Sequence, residues 1–144
     1  MSAGRGSYQN LQPLRIPSGW TVVFNNFEDI DPEAVSRSDE DTWLFTFNED
    51  ILYIRSEASQ KQNKQLEQQT LGIDLGWYPD GDPDGSFTLY AILNNDWVNP
   101  LLEFSSRSKD DIVHTLEKWL FVEFMPRHFI NEEIFRKNHR VSKS

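Results

Sequence analysis

Asp80-Gly81-Asp82-Pro83-Asp84-Gly85 holds the densest set of groups in this chain that could do chemistry. Carboxylates at every second position, with glycine at the sixth, match the opening of a calcium-binding loop, where oxygens at the first, third and fifth positions meet the ion. That chemistry also needs a bidentate Glu at the twelfth position, and here the twelfth is Ala91. Pro83 stiffens the loop further. The spacing therefore predicts a solvated turn without a metal, whose exposed Asp80, Asp82 and Asp84 could grip a basic partner.

Other reactive constellations are missing from the sequence. The histidines His114, His128 and His139 do not form an H-E-x-x-H or His-x-His spacing, so no zinc site is expected. No G-x-S-x-G elbow, phosphate-binding G-x-x-x-x-G-K-[ST] loop or G-x-G-x-x-G turn occurs. Ser18-Gly19 reads as a turn before a strand, and Gly4-Arg5-Gly6-Ser7 lies in a polar lead-in. With 23 Asp and Glu, some carboxylates will lie close together by chance, so number alone does not argue for acid–base catalysis. Cysteine is absent, which removes thiol chemistry and disulfides and fits a reducing compartment. The expectation is a protein that is not an enzyme, without cofactor or metal.

The charge is unevenly placed. Net charge is −9, and residues 28–50 carry nine carboxylates against Arg37 alone. Asp29, Asp31, Glu33, Asp39, Glu40 and Asp41 lie in this run and form a second candidate surface for a basic partner. The last twenty residues are basic, with Arg127, Arg136, Lys137, Arg140 and Lys143 against Glu132 and Glu133. Most of this surface would repel a phosphate backbone, so direct nucleic-acid binding is not expected. Trp77, Tyr78 and Trp97 flank the acidic hairpin ends, as an aromatic anchor ringed by charge would. The plainer reading makes Trp77 core and Tyr78 the cover of a sheet edge.

Strands must position these groups. Leu71, Ile73, Leu75 and Trp77 alternate with Gly72, Asp74, Gly76 and Tyr78, and Phe87, Leu89, Ala91 and Leu93 alternate with Ser86, Thr88, Tyr90 and Ile92. Both are the period-two pattern of half-buried strands, so the acidic loop tips a long antiparallel hairpin. Within 14–27, Trp20, Val22 and Phe24 should share one face of a first strand. Asp31-Pro32 opens a loop or short helical turn. Thr42–Phe47 and Ile51–Ser56 read as a tight hairpin on β-branched and aromatic content. The Gln-rich 57–69 has no face to bury and reads as a mobile excursion or frayed helix. Leu101–Ser105 adds a strand. Ser108 then caps a helix over 108–124, with Ile112, Val113, Leu116, Trp119, Leu120 and Phe124 on one face, ended by Pro126. A second short helix fits 130–137.

At 144 residues one domain can bury roughly 68–70% of its unfolded surface. The boundaries expected are a flexible lead-in at 1–13, one domain at 14–137 and a fraying tail at 138–144. The fold class is α+β: one antiparallel sheet of about five or six strands under one main C-terminal helix. The other face is left partly exposed, closed by the tail or used for contact, and Val23, Tyr78, Tyr90 and Ile92 make it not wholly polar. No secretory h-region and no run of roughly 18 apolar residues is present, so a cytoplasmic location without membrane contact is expected.

Three phrases, LRIPSGWTVVFNNFEDIDPE, LGIDLGWYPDGDPDGSFTLYAIL and NPLLEFSSRSKDDIVHTLEKWL, resemble small Gram-positive immunity proteins encoded beside polymorphic toxins, including wall-associated contact-dependent toxins of the WapA type. The likeness spans about residues 11–124. It implies a cytosolic antitoxin that binds the C-terminal domain of a cognate toxin, often a nuclease, and it carries no site residues with it. A small intracellular binding or regulatory module with another partner is the alternative. A hydrolase stands third, and would require convergent carboxylates and a histidine in a formed pocket.

Overall fold

The computed structural model describes residues 10–139. Five strands form one antiparallel sheet in the order β1-β2-β3-β4-β5, each paired with its neighbour in sequence. They are β1 (Thr21–Asn25), β2 (Leu52–Gln62), β3 (Gln65–Tyr78), β4 (Ser86–Leu93) and β5 (Leu102–Ser106). Three α-helices accompany them: α1 (Glu40–Thr46), α2 (Lys109–Lys118) and α3 (Glu132–His139). Among the described residues the class is α+β with five strands; α2 and α3 lie within or beside the expected helices over 108–124 and 130–137, and α1 is additional.

The β3–β4 hairpin pairs as the alternation predicts, from Leu71↔Leu93 to Tyr78↔Ser86. Leu71, Ile73, Leu75, Trp77, Phe87, Leu89 and Ala91 point to one side and are at most 1% exposed. Burying each large apolar side chain contributes about 1.5–3 kcal/mol. Ser108 caps α2, its side chain accepting from the Asp111 amide. Ile112 and Leu116 enter the same core, followed by Trp119, Leu120 and Phe124 from a π-turn at Trp119–Glu123. The Phe124 amide donates to Trp119 O, and the helix has ended before Pro126.

Four expectations need correction. Residues 42–47 form α1 and the end of its C-terminal turn, not a strand. Asp39 accepts from the Thr42 amide at the N-terminus, Glu40 and Asp41 fill the first turn, and Trp43 and Phe47 bury one helical turn apart. Those capping and dipole contributions outweigh the β propensity of Trp43, Phe45 and Phe47. Secondly, 57–69 is not a mobile excursion. It extends β2 and β3 into a two-stranded ribbon that runs to Gln62↔Gln65, beyond the end of β4. Asn63 and Lys64, at φ 53° and 65°, supply the left-handed pair that a two-residue hairpin turn requires. Both ribbon faces meet water over most of its length, so its polar composition carries no alternation. Thirdly, a bulge between Val22 and Phe24 sets Val22 opposite Ile54 and Phe24 opposite Tyr53, so these two residues lie on opposite faces. Finally, residues 10–12 of the expected lead-in are held: the Gln12 amide donates to Phe27 O at 2.7 Å and the Asp29 amide to Asn10 O at 2.8 Å. Residues 1–9 of that lead-in and 140–144 of the expected tail lie outside the described residues, whereas Asn138 and His139 of that tail belong to α3.

α1, α2 and α3 all contribute to the core on one side of the sheet, through Trp43 and Phe47, Ile112 and Leu116, and Phe135. The opposite face carries Phe24, Tyr53, Asp74, Tyr78 and Tyr90. Among the described residues no helix is long and apolar enough to cross a membrane.

Candidate functional site

The two acidic stretches meet at one end of the molecule. The Gly81 amide donates to Phe47 O at 2.8 Å, docking the 80–85 loop onto the end of α1. Gly81 takes φ 70° there, a conformation that suits glycine. Arg37, in the segment leading to α1, forms a two-pronged pair with Asp84 at 2.6 and 3.0 Å. Arg107 ties the loop from the other side. Its Nη1 donates to the carbonyls of Pro83 and Gly85, while Nε and Nη2 reach Glu33 Oε1 at 3.1 and 2.9 Å. A depression of about 300 Å³ lies between, lined in part by Glu40, Leu44, Asp80 and Pro83.

This arrangement sorts the predicted acidic residues. Asp29 is taken by Lys109 at 2.8 Å, Glu33 by Arg107 and Asp84 by Arg37. The hydrogen bonds from Arg37 hold the Asp84 carboxyl below its ordinary range. Asp31 caps the 3-10 turn at Pro32–Ala34, and Asp39 caps α1. Asp82 is engaged within the loop: its carboxylate accepts from the Asp84 amide and its backbone carbonyl from Trp77 Nε1. Glu40, Asp41 and Asp80 remain, and among the described residues their carboxylates have no partner. On the helix that carries Glu40 and Asp41, Leu44 and Phe45 are 57% and 59% exposed, and Leu44 shares the depression with Glu40 and Asp80.

Trp77 is corrected as a contact residue. It is 0% exposed and sits at the centre of an aromatic core, 4.9 Å from Phe47, 5.7 Å from Trp43 and 5.0 Å from Phe87 between ring centroids. Tyr78 lies on the opposite face of the sheet from Trp77, its ring 6.4 Å from Tyr90.

A second group was not singled out from sequence. Asp74 lies on the helix-free face at the middle of β3, opposite Tyr53 on one side and Tyr90 on the other. It is 8% exposed, and among the described residues nothing donates a hydrogen bond to its carboxylate. Burial, then the neighbouring Asp50 and Glu49, pushes its carboxyl up to about 7. Burial and the same Asp74 push the Tyr78 phenol up to about 12 and raise Tyr53 and Tyr90. The signal in the sequence was Gly-x-Asp-x-Gly on one face of a strand, small residues on both sides of an acid.

Two further features bear on ligands. A cavity of about 270 Å³ near α3 is lined by apolar groups that include Phe124, Ile130 and Phe135. Nε and Nη2 of Arg127, which lines it, are buried and have no partner among the described residues. Among the described residues no three His, Asp or Glu gather as a metal would require. Comparison with protein-family models, curated proteins and solved structures finds no match to this chain.

Proposed function

We propose that this protein is a stoichiometric inhibitor: a cytoplasmic immunity protein that binds the C-terminal domain of a cognate secreted toxin, a basic nuclease, and blocks it. The observation that carries the reading is the acidic end, where Glu40 and Asp80, without partners among the described residues, share a depression with the exposed Leu44, and Asp41 and the exposed Phe45 follow on the same helix. A domain that cuts nucleic acid needs a cationic cleft for phosphates, and a surface of fixed carboxylates offers that cleft the same charge. Apolar side chains at the centre of such a patch supply the desolvated anchor, and the charged rim steers the encounter. Inhibition of this kind asks for complementarity, not for a reaction.

The test is protection. The toxin domain encoded beside this chain is expressed in a sensitive host with and without it. Survival with wild-type protein, lost when Leu44 and Phe45 are both replaced by serine, is expected. Toxicity that persists although both proteins are folded and abundant would overturn the reading.

A further inference from the structure

The helix-free face of the sheet holds a carboxylate in a setting that the acidic end does not explain. Gly72 and Gly76 flank Asp74 along β3, and an aromatic side chain closes over each. A Cβ on Gly72 would lie 2.5 Å from the Tyr53 hydroxyl, and one on Gly76 would lie 2.8 Å from the Tyr78 hydroxyl. Tyr90 stands across from Asp74 on β4. Three tyrosines therefore wall the acid from both ends of its strand and from one neighbouring strand, while Tyr53 also occupies the other neighbour. The unpartnered, sealed polar atoms of the described residues belong to Arg127 alone, so the unpartnered Asp74 carboxylate is not wholly sealed from water. Along the rim, the Tyr53 ring lies 6.3 Å from Phe24 and 6.4 Å from Trp97, and Trp97 and Val98 are 50% and 86% exposed.

We propose that this well is a recognition site for an arginine side chain of a protein partner, with Asp74 pairing the guanidinium and Tyr53, Tyr78 and Tyr90 packing on it. A guanidinium is planar, weakly hydrated and suited both to carboxylate oxygens and to aromatic faces, so it enters such a well at less desolvation cost than an ammonium. The charged groups around the well are Glu49 and Asp50 before β2, Arg55 on β2 and Glu103 on β5, an acidic majority that favours a cation. Arg55 sits opposite Gly72 and does not pair with Asp74. Exposed Trp97 and Val98 give the rest of the partner an apolar surface to cover. The site goes beyond the inhibitor reading, on which only the identity of the partner rests.

The experiment needs no toxin. N-acetyl-arginine amide is titrated into the isotope-labelled full chain at roughly pH 8, above the Asp74 midpoint, with N-acetyl-lysine amide and sodium chloride as controls. Saturating shifts are expected at the amides of residues 72–76, 53 and 90. They should weaken about tenfold or more in Asp74→Asn, as loss of a charge-assisted pair requires. Tyr90→Leu, which keeps the acid, should weaken them less. Shifts that are absent with the arginine probe, equal with the lysine probe, or unchanged in a folded Asp74→Asn protein would each overturn the proposal. None of these outcomes affects the protection assay, so the two readings fail separately.

Discussion

The guanidinium of Arg107 lies over the indole of Trp77, 5.4 Å from the ring centroid, and joins the acidic loop to the core. The same group binds the Pro83 and Gly85 carbonyls and Glu33, so one side chain spans core, loop and 3-10 turn. Arg107→Ala leaves those carbonyls without their donor and should destabilise the fold by about 2–4 kcal/mol, from two hydrogen bonds to a charged group. Urea denaturation measures it. Arg107→Lys, which cannot span the same fork, should recover less than half.

Asp74 sets a pH dependence. Its folded carboxyl titrates at about 7, raised first by burial and then by Asp50 and Glu49, against about 4 for an unfolded Asp. Between those values the folded chain binds more protons than the unfolded one, so this residue makes stability fall as pH rises from about 4 to 7. Below that window the cost is absent, and above it the cost is complete. Asp74→Asn should therefore gain stability over wild type by roughly 2–4 kcal/mol at pH 8 and much less at pH 4. Thermal unfolding of both proteins across that range measures the difference.

The two glycines beside Asp74 should respond differently to alanine. A Cβ on Gly76 meets the Glu49 backbone carbonyl at 2.6 Å, whereas one on Gly72 meets only the end of the Tyr53 side chain. Backbone cannot step aside, and a phenol ring can. Gly76→Ala should cost about 2–3 kcal/mol and Gly72→Ala about 1 or less, by chemical denaturation. Equal costs would mean that Tyr53 is as fixed as the backbone.

Arg127 offers the reverse case. Burial lowers its guanidinium pKa, and two of its nitrogens lack partners among the described residues, which is a cost carried by the fold. Arg127→Met keeps the length and removes the charge, so stability should rise by about 1 kcal/mol or more. A loss of similar size would show that the guanidinium is satisfied in solution.

How legible this was in the sequence depended on which faces meet water. The β3–β4 hairpin could be read residue by residue because one face is core, and α2 because Ser108 caps an apolar stripe. α1 is not legible from composition, because the aromatic and β-branched content of 42–47 favours a strand, although of its three aromatics Phe45 is exposed and only Trp43 and Phe47 are buried. Asp39 followed by Glu40 and Asp41 was the cue that would have decided for helix. The ribbon beyond Thr70 gave no alternation because nothing covers it over most of its length. The acidic residues could be listed from sequence, but not sorted, since Arg37–Asp84 and Arg107–Glu33 join residues 47 and 74 positions apart. The Asp74 well was missed for a related reason. It depends on β2 placing Tyr53 beside Asp74, whereas the sequence pairs 51–56 with 42–47, a segment that is helical.

The most direct test of the inhibitor account is calorimetry of the purified chain with the toxin domain encoded beside it, at low and moderate salt. The account predicts one-to-one binding that weakens as salt rises. Replacing Glu40 by Gln and Asp41 and Asp80 by Asn together should weaken it about ten- to hundredfold, because among the described residues these carboxylates have no partners to hold them back. Absence of binding, or tight binding indifferent to both salt and the triple replacement, would contradict it.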